Sequence, residues 1–236
     1  GLSATMERKD GTSYMFKSFL GDIVYSAKRE ATHAVTVRVI KYETDDDEFN
    51  ETIVDKREKV AYSAMINKLC DYAPRTELIL ATIENELASD PNEQIIILSQ
   101  NKSILKTLRK QIDLRLIGGS NNAVGFYIGG MKKHELTESS KKRIILATYA
   151  MAAEALDIKT LRKLIMATPK SDIVQSVGRI LREKNTRPTV VDVVDPHYVF
   201  TNQSKKRKNF FKDENYTIVQ CKSDQYMECS KRAKAN

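Results

Sequence analysis

An α/β domain built on a parallel sheet is the fold class this sequence predicts, and three observations predict it. Short uninterrupted apolar runs recur at 95–98, 124–128, 143–147, 164–168 and 189–194, as strands buried on both faces require. Segments with helical apolar spacing separate these runs, the order that feeds parallel strands. With 236 residues, 41% of them apolar, the chain can bury a sizeable core.

The elements follow in chain order. Residues 34–42, AVTVRVIKY, alternate apolar and polar as a half-exposed strand does, and TDDDEFN after them reads as a surface loop. This early part, residues 1–55, is expected to be a β arm or linker. From Lys56 to Tyr72 the residues Tyr62, Met65, Ile66 and Leu69 recur at helical spacing; after Pro74 a second helix carries Leu80, Ile83 and Leu87. Two helices thus precede the first core strand, IIIL at 95–98. A helix with Ile104, Leu105 and Leu108 comes next, then VGFYI, RIILA, LIMAT and TVVDVV, so the domain is expected over about 56–198. The basic tail, 199–236, should be helical before a short strand at 216–220. There Lys205, Lys206, Arg207 and Lys208, with Phe210 and Phe211, either contact and stack on nucleic acid or face water while the phenyl rings dock on the sheet. The second reading is preferred.

Composition narrows the function. No apolar run approaches the ~20 residues of a membrane span, so no membrane partner is expected. GLSATMERKD lacks the order of a signal peptide. Cys70, Cys221 and Cys229 are too few for a disulfide framework and, with His33, His134 and His197, show no zinc spacing. A reducing, intracellular setting is expected, with no metal held by this chain's own residues. The net charge of +8 favours a polyanionic partner, nucleic acid first.

One segment carries chemistry by its spacing. In DIVQSVGRILRE, residues 172–183, the side chains of Ile173, Val174, Val177, Ile180 and Leu181 form one apolar helical stripe, leaving Gln175, Arg179 and Arg182 as neighbours on another surface. Gly178 allows close approach of a bulky group or another backbone. A pair of guanidiniums on a rigid helix suits charge developing on a transferred phosphoryl group; a solvated basic face is the alternative.

With its neighbours the segment resembles motif VI, QxxGRxxR, of superfamily 2 helicases and translocases, and GRILR resembles the XPB-like branch. The resemblance implies a RecA-like C-terminal helicase domain in which Arg179 and Arg182 act as arginine fingers on the γ-phosphate of ATP bound to a different lobe. Gln175 and Gly178 fall in the same nucleotide-facing motif. Upstream, ILATYAMAAEALDIKTL resembles motif V, which implies a strand-phosphate contact for Thr148, a ribose contact for Asp157 and loop ordering on the nucleotide side for Glu154. Ala155 stands where the family usually has glycine. QIIILSQNK at 94–102 resembles motif IV and puts Ser99, Gln100 and Asn101 among the strand contacts. YIGGMKK at 127–133 sits where the family has a phosphate contact, with Gly129 and Gly130 offering bare N–H groups and Lys132 and Lys133 adding charge; a plain turn is the alternative. GLSATMERKDG at the start resembles motif III and the short stretch after it, which close the first RecA-like domain, and implies coupling roles for Ser3 and Thr5; an ordinary strand end is the alternative.

No GxxxxGK[ST] phosphate loop occurs, and DDDEF at 45–49 follows rather than precedes the motif III-like stretch, so it is not taken as the acidic magnesium motif. ATP and Mg2+ would be bound mainly by an N-terminal RecA-like domain of the same protein, and this portion alone is expected to be inactive. EALDIKTL, ATPKSDIVQSVGRILR and VDPHYVF resemble the helicases of large nucleocytoplasmic DNA viruses, which include the poxvirus transcript-release helicase and African swine fever virus relatives. That likeness implies ATP-driven movement on DNA, single-stranded or duplex, or on RNA, the transcription machinery as a further partner, and the host cytoplasm or virion as location. A nucleic-acid-binding scaffold without motor activity and an α/β transferase for a phosphorylated substrate are the competing readings.

Overall fold

The computed structural model describes residues 11–21, 24, 35–89, 93–115, 123–154, 158, 160–173, 177 and 188–228. The chain divides into two units, Gly1–Ala31 and Thr32–Asn236. In the first, helix α1 (Ser13–Leu20) ends at Gly21, whose φ of +81 favours glycine and whose N–H donates to the Lys17 carbonyl.

The second unit is an α/β sandwich around one parallel sheet. Its strands are β1 (Thr36–Lys41), β2 (Gln94–Ser99), β3 (Val124–Tyr127), β4 (Ile144–Thr148), β5 (Leu161–Met166), β6 (Thr189–Val194) and β7 (Thr217–Lys222). Among the described residues the sheet has seven strands in the order β3-β4-β2-β5-β6-β1-β7, every neighbouring pair parallel. The helices are α2 (Asp47–Asn50), α3 (Tyr62–Asp71), α4 (Ala73–Ser89), α5 (Lys102–Arg115), α6 (Lys133–Ser140), α7 (Tyr149–Glu154) and α8 (Tyr198–Asp213).

The strand period of two sorts the apolar runs onto two cores. Ile95 and Ile97 of β2, with Ile144 and Leu146 of β4, pack under α3, α4 and α5. Ile96 and Leu98, with Ile145 and Ala147, pack on the opposite face with Tyr149, Ala152 and Phe211. Each fully buried aliphatic side chain of this kind is worth about 1.5–3 kcal/mol, so the central strands anchor both layers.

The sheet is wider than the 56–198 span expected from sequence. β1 is not an outlying arm: it lies between β6 and β7, with Thr36 beside Thr189 on one side and beside Thr217 on the other. Its polar alternation is real, Thr36 and Arg38 being half-exposed, and Arg38 also pairs with the buried Glu86 of α4. The tail likewise supplies α8 and the edge strand β7. α3 begins later than the apolar spacing suggested, at Tyr62. Ahead of it the Asp55 carboxylate accepts the N–H groups of Arg57 and Lys59, and Val54 bridges Val60, which closes a turn instead of a helix. In the expected loop at 44–50, Asp46 caps the short α2 by accepting the Phe49 N–H at 2.9 Å, and Phe49 stacks on Tyr72 at 4.2 Å. The tail basic cluster splits. Lys205 and Lys206 face water and Phe211 docks on the core, as preferred from sequence, but Arg207 is wholly buried.

A candidate nucleotide and strand site at the carboxyl edge of the sheet

Because every strand runs the same way, their carboxyl ends meet at one edge, where open α/β sheets place ligands. Along that edge, in spatial order, come the turn after β3, the end of β4, the loop after β2, the segment after β5 and the end of β6.

The expected strand-contact residues fall on the first three of these. Thr148 ends β4 and is 9% exposed, at the boundary between core and surface. Gly129 has open space where a side chain would stand, and Gly130 holds φ +96, a conformation that L residues rarely adopt. Lys132 caps α6 at its N-terminus, its N–H donated to Glu135 at 2.6 Å. Lys102 donates to the Gly129 carbonyl at 3.0 Å and so joins the β2 loop to the glycine turn.

Ser99 and Gln100 differ from the direct contact expected of them. Ser99 is wholly buried and its hydroxyl donates to the Asn101 carbonyl at 2.9 Å. The Gln100 amide donates to the Tyr62 hydroxyl at 2.7 Å and to the Pro169 carbonyl. Asn101 caps α5, accepting the Ser103 N–H at 2.7 Å. These side chains shape the loop, and Lys102 and Ser103 are its exposed residues.

The segment after β5, Ala167 to Lys170, is gripped to an unusual degree. Each of its four carbonyls accepts from a side chain of a different element. Arg75 of α4 donates to Ala167 at 2.9 Å, Tyr149 of α7 to Thr168 at 2.7 Å, Gln100 to Pro169, and Arg207 of α8 to Lys170 at 2.8 Å. The Gln100 N–H also donates to the Thr168 hydroxyl at 2.8 Å.

Two of these donors are buried arginines, one on each face of the sheet, each locked by an aspartate at the end of β6. Arg75 forms a fork on Asp195, at 2.5 and 2.9 Å, with both side chains wholly buried. Arg207 does the same on Asp192, at 2.9 and 2.8 Å. Burial works against the Arg207 charge, and Asp192 more than offsets it, so the guanidinium is held firmly protonated. A bidentate pair fixes the guanidinium plane, which leaves the remaining N–H groups aimed at the carbonyls of 167 and 170.

The arginine segment starts directly after this anchor. Ile173 and Val177 are buried at 2% and 0%, in the same cluster as Tyr149, and the Val177 N–H donates to the Ile173 carbonyl at 2.8 Å, one helical turn. Arg179, Arg182, Gln175, Gly178, Asp157, Ser3 and Thr5 lie outside the described residues. Glu154 ends α7, its backbone alone being described. Among the described residues no three His, Cys, Asp or Glu side chains are grouped to hold a metal ion.

Sequence reading missed the anchor, although the signals were present. Asp192 interrupts the apolar TVVDVV, and Arg75 sits in an apolar helix; a charge in a core needs a partner of opposite sign. Tyr149 lies in the motif V-like stretch, where no spacing marks its partner.

No family model matches the chain. The mimivirus protein L396 of Acanthamoeba polyphaga mimivirus, named as an ATP-dependent RNA helicase, is 35% identical over 228 residues, covering 92% of this chain and 42% of that protein. The QP509L protein of African swine fever virus, similarly named, is 29% identical over 242 residues, covering 94% of this chain and 46% of its own length. This chain therefore spans under half the length of these relatives. The C-terminal domain of the DEAD-box protein Dbp5 superposes with a TM-score of 0.52 at 13% identity, covering 88% of this chain and 100% of that domain. The chain thus has the RecA-like α/β fold of such a domain and is similar in sequence to these viral proteins. In this fold the carboxyl edge of the sheet is the surface where the glycine turn, Thr148 and the carbonyl anchor lie.

Proposed function

We propose that this chain is the C-terminal motor lobe of a longer ATP-dependent helicase or translocase of nucleic acid. One observation carries the reading. Three expected strand-contact sites and the root of the arginine segment occupy neighbouring positions on one sheet edge, the anchor tied to both α7 and the β2 loop by hydrogen bonds. The relatives' names support the same class of activity, RNA being the strand those names specify.

In this reading ATP, with its magnesium ion, is substrate held mainly by a companion N-terminal RecA-like lobe. Arg179 and Arg182 neutralise its γ-phosphate oxygens, with Gln175, Gly178, Asp157 and Glu154 on the nucleotide side. Thr148, the Gly129–Gly130 turn, Lys132 and the exposed Lys102 take the strand backbone, while Ser99 and Gln100 hold the loop that carries Lys102. Ser3 and Thr5 connect nucleotide state to the strand. Closing the cleft brings fingers to phosphate; opening it after hydrolysis shifts the strand contacts. This lobe alone hydrolyses no ATP. A role in viral transcription or DNA remodelling, within an infected cell, fits the viral relatives.

The test is ATP turnover of the complete protein with and without a single-stranded oligonucleotide, offered as DNA and as RNA. A rise on adding strand is expected. No turnover in either condition would leave a binding scaffold, and turnover indifferent to strand would leave a transferase-like site.

A further inference from the structure

Thr148 and the stretch that leads into the arginine segment are far apart in sequence, yet the side chain next to Thr148 joins them. Tyr149 follows Thr148 directly, opens α7 and is 4% exposed. Its hydroxyl donates to the Thr168 carbonyl at 2.7 Å. Burial drives the phenol far above its ordinary range, so it stays a hydrogen-bond donor at any working pH. Thr168, itself wholly buried, receives a second hydrogen bond from the Gln100 N–H, at the end of β2. One residue thus collects a bond from each of two loops on the strand-facing edge. The Ala167 and Lys170 carbonyls are held by Arg75 and Arg207, both wholly buried, and the Pro169 carbonyl by Gln100. Just beyond this held stretch, Ile173 and Val177 sit in the same apolar cluster as Tyr149. In a dry site no water can replace the lost partner, which makes the hydroxyl contact an obligatory link.

We propose that Thr168 is the junction through which strand occupancy reaches the arginine segment, with Tyr149 as the positioning residue on the Thr148 side. The proposal rests on the motor-lobe reading above. Strand contact at Thr148 moves the start of α7, Tyr149 carries that movement to Thr168, and the segment beyond Lys170 follows.

The experiment compares wild type, Tyr149→Phe and Thr168→Val in the complete protein, using a mixed-sequence single-stranded oligonucleotide as DNA and as RNA. Basal ATP turnover, strand-stimulated kcat, KM for ATP and strand Kd are measured for each. Tyr149→Phe should lower the stimulated kcat about tenfold, the scale of one neutral hydrogen bond, with basal rate, KM and strand Kd unchanged within about twofold. Thr168→Val, which removes the acceptor for Gln100, should act in the same direction, and the double variant should lose less than the two losses combined. A purely structural role predicts instead that basal and stimulated rates fall together; that result, or wild-type stimulation in Tyr149→Phe, overturns the proposal. Should Tyr149→Phe not fold, Thr168→Val carries the same comparison. A wild type that strand fails to stimulate removes the motor reading and this proposal with it, before any variant is made.

Discussion

At the scale of single residues the lobe is organised by buried charge. Arg207 and Asp192 are 0% and 1% exposed, so removing one partner leaves the other unpaired in the core. Asp192→Ala is expected to cost about 3–5 kcal/mol in urea unfolding, whereas Arg207→Met combined with Asp192→Leu should cost less than that single change. The contrast separates the cost of an orphaned charge from the worth of the pair. Why the sequence showed only half of this is plain at the same scale. The spacing of KKRKNFF marks a helix with an apolar side, and Phe211 is indeed buried, but four adjacent bases give no sign of which one turns inward. That choice is made by Asp192, fifteen residues upstream in a strand whose other members are apolar or Thr. Ser99 and Gln100 show the converse. Their place at the end of a strand was legible, while the partners that occupy them, Asn101, Tyr62 and Pro169, come from folding.

At the scale of elements, pattern reading worked best where both faces of a strand are dry. IIIL, RIILA and TVVDVV became β2, β4 and β6 because largely aliphatic runs of this length have few other stable placements. It worked least well at β1, whose half-exposed alternation suits an arm as well as a strand paired on both sides by β6 and β7. Sequence spacing also says nothing about how closely elements approach. Gly125 in β3 lies so near α6 that an added Cβ would stand 2.8 Å from the Ser139 Cα. Gly125→Ala should therefore push α6 from the sheet and destabilise the lobe by about 1–3 kcal/mol, read as a lower Tm. Since α6 begins just after the Gly129–Gly130 turn, the same variant should weaken strand affinity in the complete protein. Gly129→Ala, with open space at its Cβ, should leave the Tm unchanged.

At the scale of the whole molecule, one sheet ties residues far apart in sequence into a cooperative unit, and β1 joins β6 to β7 across it. Cys70 reports on that cooperativity. It is 6% exposed, and burial pushes its thiol up to about 11, so at neutral pH it is neither ionised nor reachable. Its alkylation by iodoacetamide should wait on global unfolding and speed up with urea in step with the unfolding curve. In the proposed function, activity at this scale depends on a second lobe, because arginine fingers of one RecA-like domain act on phosphate held by another. The central claim is thus about Arg179 and Arg182, and steady-state ATP turnover of the complete protein carrying Arg182→Ala tests it most directly. A loss of about 10³-fold or more with strand affinity little changed is the expected result; turnover near that of wild type would contradict the assignment of the fingers.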